Sequence, residues 1–297
     1  MLKLLAADLV PRVWIGDERT RVLRRLTSRR TQLVRQRTRT KNEISAVLVR
    51  NLKGRPPMSE RFGKRGRLWL AELELPGEER DTVDACLRQI DFLSGELAHV
   101  DRQIAEQALA SNEIKRLMTI PGIDVTTAAT LIAAIGDVRR FPSAKRLVGY
   151  LGVDPRVRQS EASIPRQGRI SKQGSSAARH VLVEAAWSAV KTPGPLRAFY
   201  QRVRARRGAQ IAIVAVARKL ASLCWQLLST EQDYAFKRQT ILERKLRALE
   251  LRAGAPKRHG AQHQNGTLTI KQRTLQERQL TEQAELAYQR LIELTGV

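Results

Sequence analysis

Apolar residues recur at steps of three, four and seven along most of this chain. Over 17–51, Val22, Leu23, Leu26, Leu33, Val34, Ile44, Val47 and Leu48 keep that rhythm, which predicts one long helix. Lys53-Gly54-Arg55-Pro56-Pro57 breaks it, and a short segment with Phe62, Leu68, Trp69 and Leu70 follows. Over 78–109, Val83, Leu87, Ile90, Leu97, Val100 and Ile104 form a second, heptad-like stripe. The two stripes predict an antiparallel coiled coil, closed either within the chain or with a second copy.

Shorter helical patterns follow at 113–119, 126–135, 143–151, 174–191, 195–206 and 208–229. The loop 154–173 carries two short strands around Val157 and Ile164. A charged helix continues over 231–252 and stops at Ala253-Gly254-Ala255-Pro256. A polar segment then leads to a last amphipathic helix at 270–294. The fold class is mostly α: a long antiparallel coiled coil, then a compact helical domain with a helix-hairpin-helix-like motif and a short β-containing loop. The expected divisions are 1–16, a coiled-coil linker over 17–112, a compact domain over 113–230, and a charged helical tail over 231–297 with a flexible linker at 253–269. The first ten residues read as the end of an amphipathic helix with no capping Ser, Thr, Asp or Asn before it.

Charge changes the picture most. The net charge is +25, from 54 Lys+Arg against 29 Asp+Glu, and it points to a polyanionic partner. Aromatic residues are only 4%, so stacking on bases is not the expected main mode of binding. On the first helix the polar face is basic, including Arg24, Arg25, Arg29, Arg35, Arg39 and Lys41, and reads as a phosphate-contacting face. Cys86 and Cys224 lie far apart in apolar patterns and read as buried free thiols. The four histidines show no metal spacing. No apolar run reads as a membrane span and no signal peptide is apparent, so a cytoplasmic protein away from membranes is expected.

The densest chemistry lies between 117 and 187. Ile120-Pro121-Gly122-Ile123-Asp124 before Thr126-Thr127-Ala128-Ala129 has the form of a helix-hairpin-helix turn, whose backbone N–H groups can hold a phosphate at Gly122. Asp124 stands where glycine is usual and would repel a phosphate, so simple helix packing is the competing reading. Next, Arg156, Arg158, Arg166, Arg169 and Lys172 surround Ser160, Ser163 and Ser171. A serine attacking a phosphodiester needs such cations to offset the charge of the transition state. Gly168-Arg169-Ile170-Ser171-Lys172-Gln173-Gly174 with Arg179 could bind phosphate at a helix start, or Ser171 could simply cap that helix. Glu113, Asp124, Asp137, Asp154, Glu161 and Glu184 are scattered and form no convincing metal pair.

Ile120-Pro121-Gly122, Phe141, Leu151-Gly152, Pro155, Gln159-Ser160 and Gly168-Arg169-Ile170-Ser171-Lys172-Gln173-Gly174 together resemble the C-terminal domain of the DEDD insertion-sequence transposases of the IS one-ten and IS eleven-eleven group. That group includes bridge-RNA-guided recombinases and pilin-gene invertases. Trp14 and the stretch from Arg19 to Asn42 resemble its linker coiled coil.

The resemblance implies a serine nucleophile that maps to Ser160, with Ser171 the weaker candidate. It also implies a magnesium ion held by an N-terminal RuvC-like domain. The Lys-Thr-Asp-x-x-Asp-Ala motif of that domain has no equivalent here, so no cofactor is expected in this chain. The chain is expected to be an N-terminally truncated transposase, inactive alone. DNA is the implied partner, with a guide RNA beside it and self-association through the coiled coil. The competing reading is a non-catalytic nucleic-acid-binding or dimerisation protein that modulates full-length transposase.

Overall fold

A computed structural model describes residues 14–158, 166–257 and 269–295. The elements, in chain order, are α1 (Glu18–Arg50), α2 (Lys64–Glu72), α3 (Gly77–Leu109), α4 (Asn112–Leu117), α5 (Val125–Ile135) and a 3-10 turn (Val138–Arg140). They continue with α6 (Ala144–Leu151), β1 (Pro155–Arg158), β2 (Arg166–Ile170), α7 (Ser176–Ala189), α8 (Pro195–Arg207), α9 (Ala209–Thr230), α10 (Gln239–Arg252) and α11 (Ile270–Thr295). The fold is mostly α, as the periodicity predicts. Two compact units divide it, one over 28–102 and the other made of 1–27 with 103–297.

In the unit over 28–102, α1 and α3 run antiparallel within one chain. Arg30 meets Asp101 at 2.7 Å, Thr40 meets Gln89 at 3.1 Å and Arg50 meets Glu79 at 2.9 Å. One number rises as the other falls, which is the signature of an antiparallel register. The seam is apolar: Ile44, Val47, Leu48, Val83, Cys86 and Ile90 are buried, and Leu70 of α2 packs into the same cluster. Helix α2 was not expected. Its Lys64-Arg65-Gly66-Arg67 start hides the apolar period, which only Leu68 to Leu70 reveal.

In the other unit α9 is the central helix, packed on α8, α7, α6, α4 and the 3-10 turn. By length and composition it would suffice to cross a membrane, against the sequence expectation that no run would. Half of its most apolar stretch is buried against these five neighbouring elements, as in the core helix of a globular unit.

Helix α9 ends at Glu231, whose φ is +55°. The continuous helix expected over 231–252 is therefore wrong. Tyr234 turns inward, and its backbone N–H donates to Thr119 Oγ1 at 3.0 Å, so the helix resumes only at Gln239. The charged C-terminal helices belong to this unit as well. Glu285 of α11, nearly fully buried, accepts from the Gly194 N–H at 3.0 Å and from Arg197 Nε at 2.9 Å. Glu277 accepts from the Thr240 N–H at 2.9 Å. Two carboxylates of α11 thus sit at the N-terminal ends of α8 and α10, where helix dipoles favour negative charge.

The two strands pair antiparallel, Arg158 against Arg166 and Pro155 against Ile170. The second strand starts after Ile164, which lies outside the described residues. Both cysteines are buried and free, and burial pushes the Cys224 thiol up to about 12.

Candidate nucleic-acid interface and the basic hairpin

The α4–α5 turn has the helical-hairpin shape, and its glycine packs closely on α7. Gly122 adopts φ +84°, and a Cβ there would lie 2.3 Å from the Ala185 carbonyl oxygen on α7. The Asp124 carboxylate caps α5 by accepting from the Thr127 N–H at 2.8 Å. From the other side, Lys245 of α10 donates to the carbonyls of Met118, Ile120 and Ile123 at 2.7, 3.2 and 2.8 Å. Burial pushes the Lys245 ammonium down to about 8, against the pull of Asp124. Gly122 thus permits a close approach between backbones. Of the two sequence readings, helix packing fits this turn.

The basic loop is a two-stranded hairpin with a tightly built base. Ser171 N–H donates to the Asp154 carbonyl at 2.8 Å and Lys172 N–H to the Gly152 carbonyl at 3.2 Å. Gly152 (φ +70°) and Gly174 (φ +110°) let the two sides touch: a Cβ on Gly152 would lie 1.9 Å from the Gln173 oxygen. On Gly174 it would lie 2.0 Å from the Tyr150 oxygen. Arg156 donates to the Ser171 carbonyl at 3.1 Å, and Arg179 to the Gly174 carbonyl at 2.9 Å. Arg218 of α9 pairs with Asp154 at 2.9 Å.

Arg156, Arg169 and Lys172 are exposed around this base. Arg158 and Arg166 pair through their backbones at the far end of the strands, and Ser160 lies beyond them, outside the described residues. Ser171 is not the helix cap: its hydroxyl accepts from the Gln173 N–H, while Ser175 caps α7 by accepting from the Ala178 N–H at 3.2 Å.

The basic face of α1 divides. Arg24 is corrected from a phosphate contact to an internal group. Its Nε donates to the Ala133 carbonyl at 2.7 Å and its guanidinium lies 5.3 Å from the Trp14 ring centroid. Arg25 pairs with Glu18 at 2.9 Å, Arg29 with Glu96 at 3.7 Å, and Lys41 lies over Phe62. Arg35 and Arg39 are exposed without an ion pair among the described residues. Sequence reasoning missed the acids on α3 because they oppose α1 only once the antiparallel register is set. It also missed Arg140, whose guanidinium lies within 4.4 Å of the Trp14, Phe141 and Tyr150 rings. Gly136 seats that tryptophan: a Cβ there would lie 2.0 Å from the Trp14 indole.

Residues 114–201 match the model of the transposase IS116/IS110/IS902 family. A probable family 20 transposase of Pseudomonas aeruginosa is 31% identical over 69% of this chain and 62% of its own length. The transposase for insertion sequence element IS1111A of Coxiella burnetii is 28% identical over 69% of this chain and 58% of its own. A pilin gene-inverting protein of Moraxella bovis is 31% identical over 48% of this chain and 46% of its own. The chain thus spans less than two thirds of the length of these relatives. The hairpin and most of the scaffold from α4 to α7 fall inside the matched region, and residues 114–201 form a domain of the transposase IS116/IS110/IS902 family.

Proposed function

We propose that this chain is the DNA-handling part of an insertion-sequence transposase, and that the basic hairpin presents Ser160 to a phosphodiester. The observation that carries this reading is the hairpin base, where two glycines and a set of backbone hydrogen bonds close a loop on which Arg156, Arg169 and Lys172 are exposed. Cations held in that way stabilise a phosphate as its charge builds. The serine oxygen would form a new P–O bond while the scissile strand's oxygen leaves with a proton.

Among the described residues no group of three or more His, Cys, Asp or Glu side chains comes together to hold a metal ion. The described residues therefore do not fit the magnesium that the family resemblance implies, which that resemblance assigns to an N-terminal RuvC-like domain. A guide RNA would meet the same phosphate-seeking cations. Self-association would need a surface other than the α1–α3 seam, which is filled within the chain.

Affinity for duplex DNA is expected to fall linearly on a logarithmic salt scale, because each Lys or Arg contact releases counterions. Arg156→Gln with Lys172→Gln should lower the slope by about two contacts. Ser160→Ala should leave affinity within about twofold and abolish any covalent protein–DNA product on a nicked insertion-end substrate, since it removes the attacking oxygen without touching the cations. A covalent product that survives Ser160→Ala and disappears with Ser171→Ala would move the nucleophile to Ser171.

A further inference from the structure

The outer face of α6 is exposed over Lys145, Arg146, Gly149 and Tyr150. These four lie within about 140° of one another at 3.6 residues per turn, while Leu147, Val148 and Leu151 are buried on the other side. Neither Lys145 nor Arg146 has an ion pair among the described residues.

Gly149 is the telling position. A glycine inside a helix is unfavourable, since it loses more chain entropy on folding than alanine does. Gly122, Gly152 and Gly174 are each compelled by a positive φ and by backbone that would lie within 2.3 Å of an added Cβ. Gly149 has neither reason: its Cβ would meet nothing within 4 Å. Open space above a helix backbone, flanked by two unpaired cations, suits a partner that must come closer than a side chain permits.

Beside it, Tyr150 is 41% exposed yet held in place: Arg140 lies 4.4 Å from its ring centroid and the Phe141 ring 5.1 Å away. A ring fixed in advance binds at little entropic cost. The Tyr150 carbonyl lies under Gly174, so this face adjoins the base of the basic hairpin.

We propose that the Lys145–Arg146–Gly149–Tyr150 face seats the sugar–phosphate backbone of the DNA strand that passes the hairpin. Lys145 and Arg146 hold phosphates, Gly149 admits the backbone against the helix, and the Tyr150 ring packs on the adjoining sugar or base. This inference rests on the reading of the hairpin as DNA-handling.

The test uses a fluorescent duplex of mixed sequence and an RNA hairpin as probes, with titration at several salt concentrations and a melting curve for each variant. Gly149→Ala is expected to melt higher than the unaltered chain, because alanine favours the helix, and to bind duplex DNA about tenfold more weakly. Lys145→Gln with Arg146→Gln should reduce the salt slope by about two contacts.

A Gly149→Ala chain that melts higher and binds as before overturns the proposal, and so does one that melts lower, since the glycine would then serve the fold. Loss of RNA binding with DNA binding intact overturns it too. If the Arg156→Gln, Lys172→Gln chain loses affinity while both α6 variants keep theirs, the α6 seat falls and the hairpin reading stands. An unaltered chain that binds no duplex removes the hairpin reading, and this seat with it.

Discussion

Replacing Gly152 with alanine is expected to cost about 2–4 kcal/mol of stability and to release the basic hairpin from its base. Gly152 ends α6 in the left-handed conformation, at φ 70° and ψ 28°. An L-residue pays about 1–2 kcal/mol there before any clash. The added methyl would also lie 1.9 Å from the Gln173 oxygen, an atom of the backbone with no side-chain freedom to retreat.

The 150–154 and 171–174 segments must then part. Parting them stretches the Lys172 N–H to Gly152 and Ser171 N–H to Asp154 hydrogen bonds that align the hairpin. Affinity for duplex DNA should fall with stability, because Arg156 loses its anchor on the Ser171 carbonyl. Thermal melting and DNA titration of the same Gly152→Ala preparation check this. Unchanged melting would mean that the two segments slide apart without loss and that the base is not rigid.

Elements whose apolar period is long and uninterrupted were legible to within a residue or so. The expected helix at 17–51 is α1, Glu18–Arg50, and the expected 208–229 is α9, Ala209–Thr230. Periodicity works there because each buried stripe meets one neighbour along its whole length.

The failures have a common physical form. Arg24 reads as one basic residue among many, yet its partner Ala133 is 109 positions away. Lys245 sits in a charged helix and ends among carbonyls more than 120 positions earlier. The 231–238 break is imposed by Tyr234 docking on Thr119, a contact that no local pattern announces. Charge in a sequence therefore points to a class of partner but not to which cations remain free for it. On α1 the antiparallel hairpin uses up Arg29, Arg30 and Arg50, and on the other unit the hairpin leaves Arg156, Arg169 and Lys172 open.

Lys245→Met should destabilise the unit containing the α4–α5 turn by about 1–3 kcal/mol near neutral pH, the range for leaving buried polar groups without their partner. The methionine would fill the space of the stem but leave the Met118, Ile120 and Ile123 carbonyls without their donor. These three oxygens converge because the Pro121-Gly122 turn curls around them, so no rotation of one peptide can satisfy the others.

The pH dependence has a definite sign. In the unfolded chain Lys245 keeps its proton up to the ordinary value of 10.5, and in the folded chain only up to about 8. Between those values the unfolded state binds more protons, so this residue's contribution to stability rises with pH, by up to about 1.4 kcal/mol per pH unit. Below about 8 the ammonium is charged in both states and the cost of burying it is carried in full.

The Lys245→Met chain lacks that slope. The stability gap between the unaltered chain and the variant should therefore widen from pH 7.5 to pH 10, by on the order of 3 kcal/mol at its limit. Denaturant midpoints of both chains across that range measure it. A gap that narrows with rising pH would show that the three carbonyl hydrogen bonds outweigh burial and hold the proton more tightly than water does. The turn would then be stabilised by a charge it favours rather than by one it tolerates.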